Sequence, residues 1–311
     1  MGCQPHQGAG YFEVADEKNQ RFYSEKYGVT HPTKAGLKIP QMFDAAIKKE
    51  LKGLWIIGED IVQTDPNSSH VIEAMNSLEL LVVQEIFMSE TAKLATVVLP
   101  GTTFLEKDGT FTNTERRIQR VNRAVPPLPG TKPDGVIVTD MMQKLGFDQP
   151  TYDADKMLAE IADVVPFFKG VTRERLGKLG LQWPVKEDGT DTQILHTETF
   201  KLGKGRLKNF DWKESTEVET NKKEYPLILT TSRVLQHYNA ATMTRRTSNI
   251  NIVNEDLLLV HPKDAAARDL NTGDIGRLYS GRGEVALKVE VTDKVKEGIV
   301  FTTFHFPEHM V

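Results

Sequence analysis

The sequence predicts an α/β fold: a parallel sheet crossed by helices in the manner of a Rossmann-like domain, followed by a small β-barrel. Two observations predict it. Between residues 54 and 99, short apolar runs alternate with stretches of helical period in the order strand, helix, strand, helix, strand. That order favours parallel pairing through right-handed crossovers. Beyond residue 257, short strand-like runs are punctuated by Gly273, Asp274 and Gly281 and joined by one small helix, the pattern of a compact barrel.

The elements follow in chain order. Residues 1–40 are polar, with Gly, Lys and His scattered through them, and are expected to be irregular. A short helix is predicted over 43–51, with Phe43, Ala46, Ile47 and Leu51 apolar, and a buried strand over 54–57. A second helix over 68–78 carries Val71, Ile72, Met75 and Leu78 on one face, with Ser68 or Ser69 near its cap. Strands over 80–83 and 96–99 flank a single helical turn at 91–94. Helices are predicted over 134–145, 156–164 and 172–178. The Gly-, Thr- and Lys-rich stretch 180–211 reads as a linker without a packed core. Strands over 225–231 and 257–260 come next, then a short helix with Pro262 near its start. Strands over 275–279, 284–291 and 298–304 complete the chain. In the middle one, Val285, Leu287, Val289 and Val291 share a face. The organisation expected is an α/β domain over 1–150, a helical and irregular connection over 151–223, and a barrel over 224–311.

Composition excludes several function classes. With 311 residues, 39% of them hydrophobic, the chain can build one large or two medium cores. A net charge of −4 gives no reason to expect a nucleic-acid partner or an anionic membrane. No apolar run approaches the roughly 18–20 residues of a membrane-spanning helix, so no direct membrane insertion is expected. The first residues show no charged-then-apolar signal pattern. Cys3, the single cysteine, can neither close an internal disulfide nor supply the four thiolates of an iron–sulfur cluster.

In a parallel sheet, ligands bind beyond the carboxyl ends of the strands. Three such ends carry polar residues: Gly58, Glu59 and Asp60; Gln84 and Glu85; and Pro100 with Gly101. A glycine there admits close approach to the backbone. A carboxylate accepts from ribose hydroxyls, or takes a paired hydrogen bond from the N1–H and exocyclic amine of guanine. Spacing alone favours ordinary turn residues. Neither a GxGxxG fingerprint nor a GxxxxGKS/T loop is present, so a nicotinamide dinucleotide and ATP are poorly supported. A second cluster follows the strand near residue 230: Arg233, His237, Thr242, Thr244, Arg245 and Arg246. Arginines and hydroxyls of this kind suit a pyrophosphate or a pterin, and equally a packed loop. Glu115, Arg116, Arg117 and Arg120 read as a solvated charged face. No HExxH or GxSxG motif occurs, and the histidines are scattered.

The stretch 106–120, EKDGTFTNTERRIQR, follows the apolar run 95–100 and places three threonines, an asparagine, a glutamate and three arginines behind Gly109. Together with the triplet at 58–60 and VVQEIF at 82–87, it resembles the large molybdenum subunit of bacterial formate dehydrogenases, within the molybdopterin oxidoreductases. The resemblance runs over nearly the whole chain. It implies a bis-molybdopterin guanine dinucleotide cofactor carrying Mo or W, and a barrel of the double-psi kind.

By this resemblance the region from Gly58 and Glu59 to Thr64 binds one of the two dinucleotides, with Asp60 and Thr64 at its nucleotide end. Gln84 and Glu85 sit at ribose and guanine, Gly101 gives a backbone contact, and Asp134 holds guanine. Where the family commonly has a tryptophan after that aspartate, this chain has Gly135. In the barrel, Arg233, Val234, His237 and Asn239 line the cofactor, and Phe304 and His305 approach the pterin. Arg116, Arg117 and Arg120 fall where the cofactor domain meets an iron–sulfur domain, and would balance negative charge there.

The resemblance also implies what lies elsewhere. The family's four-cysteine motif for a 4Fe-4S cluster, its metal-ligating cysteine or selenocysteine with the adjacent histidine, and a lysine and an arginine nearby all precede the region matched here. The chain is therefore expected to be an internal or C-terminal portion of a longer subunit. The partners implied are the N-terminal part of the same subunit, an iron–sulfur electron-transfer subunit, and formate or CO2. The location implied is cytoplasmic, or periplasmic if an export signal precedes the chain. Alone, the chain is expected not to oxidise formate, and formate-dependent dye reduction by the 311-residue protein would overturn that. Two alternatives stand beside this reading: another molybdopterin reductase, such as one for nitrate, and a non-catalytic structural or electron-transfer subunit of the same fold. Binding of guanine nucleotide would separate the last from the others.

Overall fold

The computed structural model describes residues 4–200 and 202–306; Cys3 and the last five residues lie outside that range. The chain forms two compact units. One comprises Met1–Glu59, Ala74–Met88 and Ala92–Gly205; the other comprises Asp60–Glu73, Ser89–Thr91 and Arg206–Val311.

In chain order, helix α1 (Glu17–Tyr27) comes first. The sequence reading left this segment irregular, because Tyr23 is its only buried residue and no apolar stripe announces it. What makes it a helix is its ends. The Asp16 carboxylate accepts from the backbone N–H groups of Lys18 and Asn19, and Gly28 closes the helix in the left-handed conformation at φ 64°. Helix α2 (Ile39–Ile47) carries Pro40 in its first turn and buries Phe43, Ala45 and Ala46.

Strand β1 (Gly53–Ile57) is followed by the short α3 (Ile61–Thr64) and by α4 (Ser68–Ser77). The cap of α4 is Asn67, next to Ser68, and its Oδ1 accepts from His70 N–H at 3.3 Å. Strand β2 (Leu80–Glu85), the turn α5 (Glu90–Lys93) and β3 (Val97–Pro100) complete a three-stranded sheet of order β1-β2-β3. Both pairings are parallel, with Ile57 opposite Gln84 and Glu85 opposite Pro100, as the alternation of elements requires. Leu81 and Val83 point into the interior of this unit and are essentially inaccessible.

The charged stretch folds as an antiparallel hairpin, β4 (Gly109–Thr112) against β5 (Arg117–Val121). Helices α6 (Asp134–Lys144), α7 (Ala154–Val164) and α8 (Arg173–Leu176) follow. Then β6 (Leu181–Gln182) adds to the free side of β5. Ile118, Leu158, Val171, Leu176 and Val185 form one core there. The linker expected over 180–211 is therefore ordered in its first part. The Arg116 guanidinium donates to the carbonyls of Trp183, Thr192 (3.1 Å) and Gln193 (3.0 Å) and lies over the Trp183 ring at 5.6 Å. Arg116 thus binds this chain's own backbone. Gly180 makes the turn into β6 at φ +76°, where a Cβ would stand 2.2 Å from the Ile118 carbonyl oxygen.

In the second unit, α9 (Thr216–Asn221) precedes β7 (Ile228–Ser232), β8 (Leu257–Val260), α10 (Pro262–Ala266), β9 (Ile275–Ser280), β10 (Gly283–Val291) and β11 (Ile299–Thr303). They form a mixed sheet of order β7-β11-β8-β10-β9. Strand β11 runs parallel to β7 and antiparallel to β8, while β10 runs parallel to β8 and antiparallel to β9. Leu287 and Val289 of β10 are buried with Leu258, Val260, Ala265 and Val300, and Val285 and Val291 pack against them, which is the face predicted from the alternation. No helix among the described residues is long and apolar enough to cross a membrane.

Candidate functional site

The first cluster lies beyond the strand ends of the parallel sheet. Gly58 leaves β1 at φ +63° and donates its N–H to the Gln84 carbonyl at 2.9 Å, while Gly101 leaves β3 and donates to the Glu85 carbonyl at 3.0 Å. These two bonds tie the three strand ends together. Glu59 is exposed and Glu85 is half-buried, with its Oε1 accepting from Ile86 N–H at 2.7 Å.

Asp134 opens α6 in the same cluster, on the positive end of that helix. Gln84 Nε2 donates to its Oδ1 at 2.8 Å, and the Lys107 ammonium pairs with its Oδ2. Gln84 is 1% exposed and its Oε1 has no partner among the described residues, whereas the Asp134 side chain is 39% exposed. One residue is therefore a buried support and the other a reachable acceptor. A Cβ on Gly101 would stand 3.0 Å from Asp134 Oδ1, so the glycine leaves that oxygen its space.

Two residues that sequence reasoning missed shape this cluster. Lys107 sits between Glu106 and Asp108, where a charged run reads as solvated surface; its Nζ also donates to the Thr102 carbonyl at 3.3 Å. The Tyr152 ring packs against Gly135, where a Cβ would fall 2.1 Å from it. An aromatic ring therefore does stand beside Asp134, contributed from 18 residues along the chain instead of from position 135. Burial, and then the nearby Asp134 carboxylate, push the Tyr152 phenol above its ordinary pKa. Lys107, Phe111, Asp134, Gly135, Tyr152 and Met157 line an open pocket here.

Asp60 and Thr64 belong to the other unit. Asp60 is buried, and its Oδ1 accepts from Thr91 N–H at 2.9 Å and from the Thr91 hydroxyl at 2.7 Å. It fastens the start of α5, and its Oδ2 has no partner among the described residues. Thr64 is exposed, its hydroxyl 3.4 Å from Asp65 Oδ2.

The second cluster is the loop after β7, which turns through Asn239 at φ +48° and Ala241 at φ +62°. Arg233 is exposed, donates to Asn239 Oδ1 at 3.1 Å, and lies over the Phe304 ring at 5.6 Å. His305 is fully buried. Its Nδ1 donates to the Asn239 carbonyl at 2.7 Å, which leaves Nε2 to accept from Val234 N–H at 3.0 Å. Both nitrogens are spent, the tautomer is fixed, and burial holds the imidazole below its ordinary pKa. His237 is buried too. Its Nε2 donates to the Val253 carbonyl at 2.8 Å, and its Nδ1 accepts from the Thr244 hydroxyl at 3.0 Å. The sequence expectation put His237 and His305 against a ligand. The structure makes them the internal posts of the loop that presents Arg233 and Asn239 to solvent. Among the described residues, no group of three or more His, Cys, Asp or Glu could hold a metal ion.

Comparison with known proteins gives the family. Residues 8–144 match the molybdopterin oxidoreductase family, and residues 227–310 match the molydopterin dinucleotide binding domain; together these cover more than half of the chain. A formate dehydrogenase subunit alpha of Methanocaldococcus jannaschii is 40% identical over 99% of this chain and 46% of its own length. A formate dehydrogenase 1 subunit alpha of Methanococcus maripaludis is 39% identical, with the same two coverages. A probable oxidoreductase of Bacillus subtilis is 37% identical over 95% of this chain and 30% of its own length. The chain thus spans less than half the length of these relatives. Among solved structures, acetylene hydratase from Pelobacter acetylenicus superposes with a TM-score of 0.65 over 90% of this chain and 41% of its own, at 21% identity, a likeness of fold. With a parallel sheet whose strand ends carry Gly58, Gln84 and Gly101, Asp134 at the start of α6 beside them, a C-terminal mixed sheet, and these matches along its length, the chain belongs to the molybdopterin oxidoreductase family.

Proposed function

We propose that this chain supplies part of the cradle for a bis-molybdopterin guanine dinucleotide cofactor in a formate dehydrogenase catalytic subunit. The observation that carries the cofactor assignment is the Asp134 carboxylate: reachable from solvent, held from behind by buried Gln84, and given room by Gly101. A carboxylate held beside the strand ends is the acceptor that the N1–H and exocyclic amine of guanine require. The residues present fit the nucleotide end of such a group. In this reading Gly58, Glu59, Gln84, Glu85, Gly101 and Asp134 hold ribose and base. Arg233, Val234, Asn239 and Phe304 form a second contact region, in which the exposed guanidinium suits a phosphate or pterin oxygen. Asp60 and His237 act by holding their loops, and Thr64 is left as an exposed hydroxyl.

The formate assignment rests on the relatives, whose names carry that substrate. When bound, the metal–pterin group supplies the two-electron chemistry that interconverts formate and CO2, while the protein binds, orients and tunes it. Mo or W at that centre, a 4Fe-4S cluster, the N-terminal part of the same subunit and an iron–sulfur electron-transfer subunit all belong to this reading.

The test is calorimetric binding of GDP, the nucleotide end of the cofactor, to the 311-residue chain and to Asp134→Asn. Binding that Asp134→Asn abolishes is expected, because an asparagine presents an amide N–H₂ where guanine needs an acceptor. Absence of binding, or equal binding by the variant, would remove the cofactor assignment and favour a non-catalytic scaffold.

A further inference from the structure

Asp134 explains how this pocket accepts the donors on a purine edge, and leaves open what Lys107 is for. The lysine is not a simple surface charge: its side chain is only 25% exposed, its ammonium sits on Asp134 Oδ2, and a second proton goes to the Thr102 carbonyl. An ammonium has three protons, so one remains to be given, beside the carboxylate and towards the pocket that both residues line. The walls of that pocket include the flat Tyr152 and Phe111 rings and the Met157 thioether, which suit a planar heterocycle.

We propose that Lys107 is the specificity-determining residue of this subsite, donating to guanine O6 while Asp134 accepts from N1–H and the exocyclic amine. The proposal rests on the reading that this cluster takes the nucleotide end of the cofactor. The geometry makes the pairing natural, because O6 and N1–H are adjacent on the guanine edge. An N1–H bonded to Asp134 Oδ2 puts O6 next to the cation that already touches that oxygen. The same arrangement rejects the other bases. Adenine would turn its N1 lone pair to the carboxylate and its amine to the ammonium, opposing both. Uracil would satisfy the lysine but set its second carbonyl against Asp134. A carboxylate alone selects any base with an N–H and an adjacent amine; the carboxylate with its cation selects guanine.

The experiment is calorimetric binding of GDP, ADP and 6-thioguanosine diphosphate to the full chain, to Lys107→Met and to Asp134→Asn. The thio analogue keeps N1–H and the amine and replaces O6 by a weak acceptor. The parent is expected to bind GDP more tightly than either analogue. Lys107→Met is expected to lose about tenfold in GDP affinity, the worth of one charge-assisted hydrogen bond, and to bind GDP and its thio analogue equally. Undiminished GDP binding by Lys107→Met, with Asp134→Asn inactive, would overturn the role of Lys107 and leave the nucleotide reading standing. Failure of the parent to bind GDP at all, or equal binding by Asp134→Asn, would overturn both. Should Lys107→Met fail to fold, the parent decides alone: equal affinity for GDP and the thio analogue refutes an O6 contact.

Discussion

The strand-end cluster and the loop after β7 were assigned similar tasks by resemblance, and they are built in opposite ways. At the strand ends the buried residue is a support, Gln84, and the charged residue it supports, Asp134, stays reachable. The loop is held by two buried histidines, His237 within it and His305 after β11, whose four ring nitrogens are all spent on this chain, and it leaves Arg233 and Asn239 reachable. The sheet fixes Gln84 and helix α6 fixes Asp134, so the first cluster needs only Gln84 and Lys107 to aim its acceptor. A loop that passes through left-handed residues at Asn239 and Ala241 has no such scaffold. It must be pinned before it can present anything, and the histidines do the pinning.

The sharpest way to break this comparison is to remove a pin. His305→Phe leaves the Val234 N–H and the Asn239 carbonyl without their partner in the interior. At about 1–3 kcal/mol for each unsatisfied buried group, it should be the most destabilising of the substitutions considered, read as a lowered denaturation midpoint. The same bond gives a pH dependence with a definite sign. The folded-state pKa of His305 lies below the ordinary histidine value of about 6.5. As the pH falls through about 6.5, the unfolded chain takes up the proton first, so the stability this group contributes is complete above that pH and drains away below it. Denaturation midpoints compared at about pH 7.5 and 5.5 should therefore fall more for the parent than for His305→Gln. An identical fall in both would mean that His305 is not the neutral post described.

At the strand ends the equivalent substitution should behave differently. Gln84→Leu removes the buried donor to Asp134, but it also removes a buried Oε1 that has no partner among the described residues. Replacing a half-satisfied polar group by an apolar one of similar size is close to neutral. The denaturation midpoint should therefore stay within about 1 kcal/mol of the parent, while GDP affinity falls because Asp134 is no longer aimed. A large loss of stability with intact GDP affinity would reverse the roles assigned to the two regions.

What the sequence disclosed and what it hid divides along the same physical line. The parallel sheet was legible because its strands read as short apolar runs alternating with helical stretches, and β10 was legible because its alternation marks one buried face. Helix α1 was not, because its stability lies in the Asp16 cap and the Gly28 stop more than in an apolar stripe. Residues 181–193 looked like a linker because much of their order comes from the Arg116 guanidinium binding carbonyls, which leaves no hydrophobic period to read. Asp134 came from resemblance. Lys107 was hidden inside a charged run, and the roles of His237 and His305 depend on partners such as Val234, 71 residues from His305. Local composition announces which residues are polar, but the pairing of polar groups across the chain decides which of them remain free to meet a ligand.

The smallest effect on stability is expected at Arg233, where the comparison can be sharpened most. Its guanidinium is exposed, with one hydrogen bond to Asn239 Oδ1 and the Phe304 ring beneath it. Exposed pairs of this kind contribute little, so Arg233→Ala should change the denaturation midpoint by less than about 0.5 kcal/mol. If the loop is pinned by His237 and His305 so that Arg233 can meet an oxyanion, the same substitution should weaken binding of inorganic pyrophosphate severalfold, and added salt should weaken the parent's binding in the same direction. Arg233→Lys should recover only part of it, since an ammonium lacks the planar fork that pairs two oxygens at once. A stability loss at Arg233 comparable with that at His305 would show that the guanidinium is itself a pin. The loop would then present nothing, and the distinction between a region that supports its ligand groups from a sheet and one that supports them from buried imidazoles would fail.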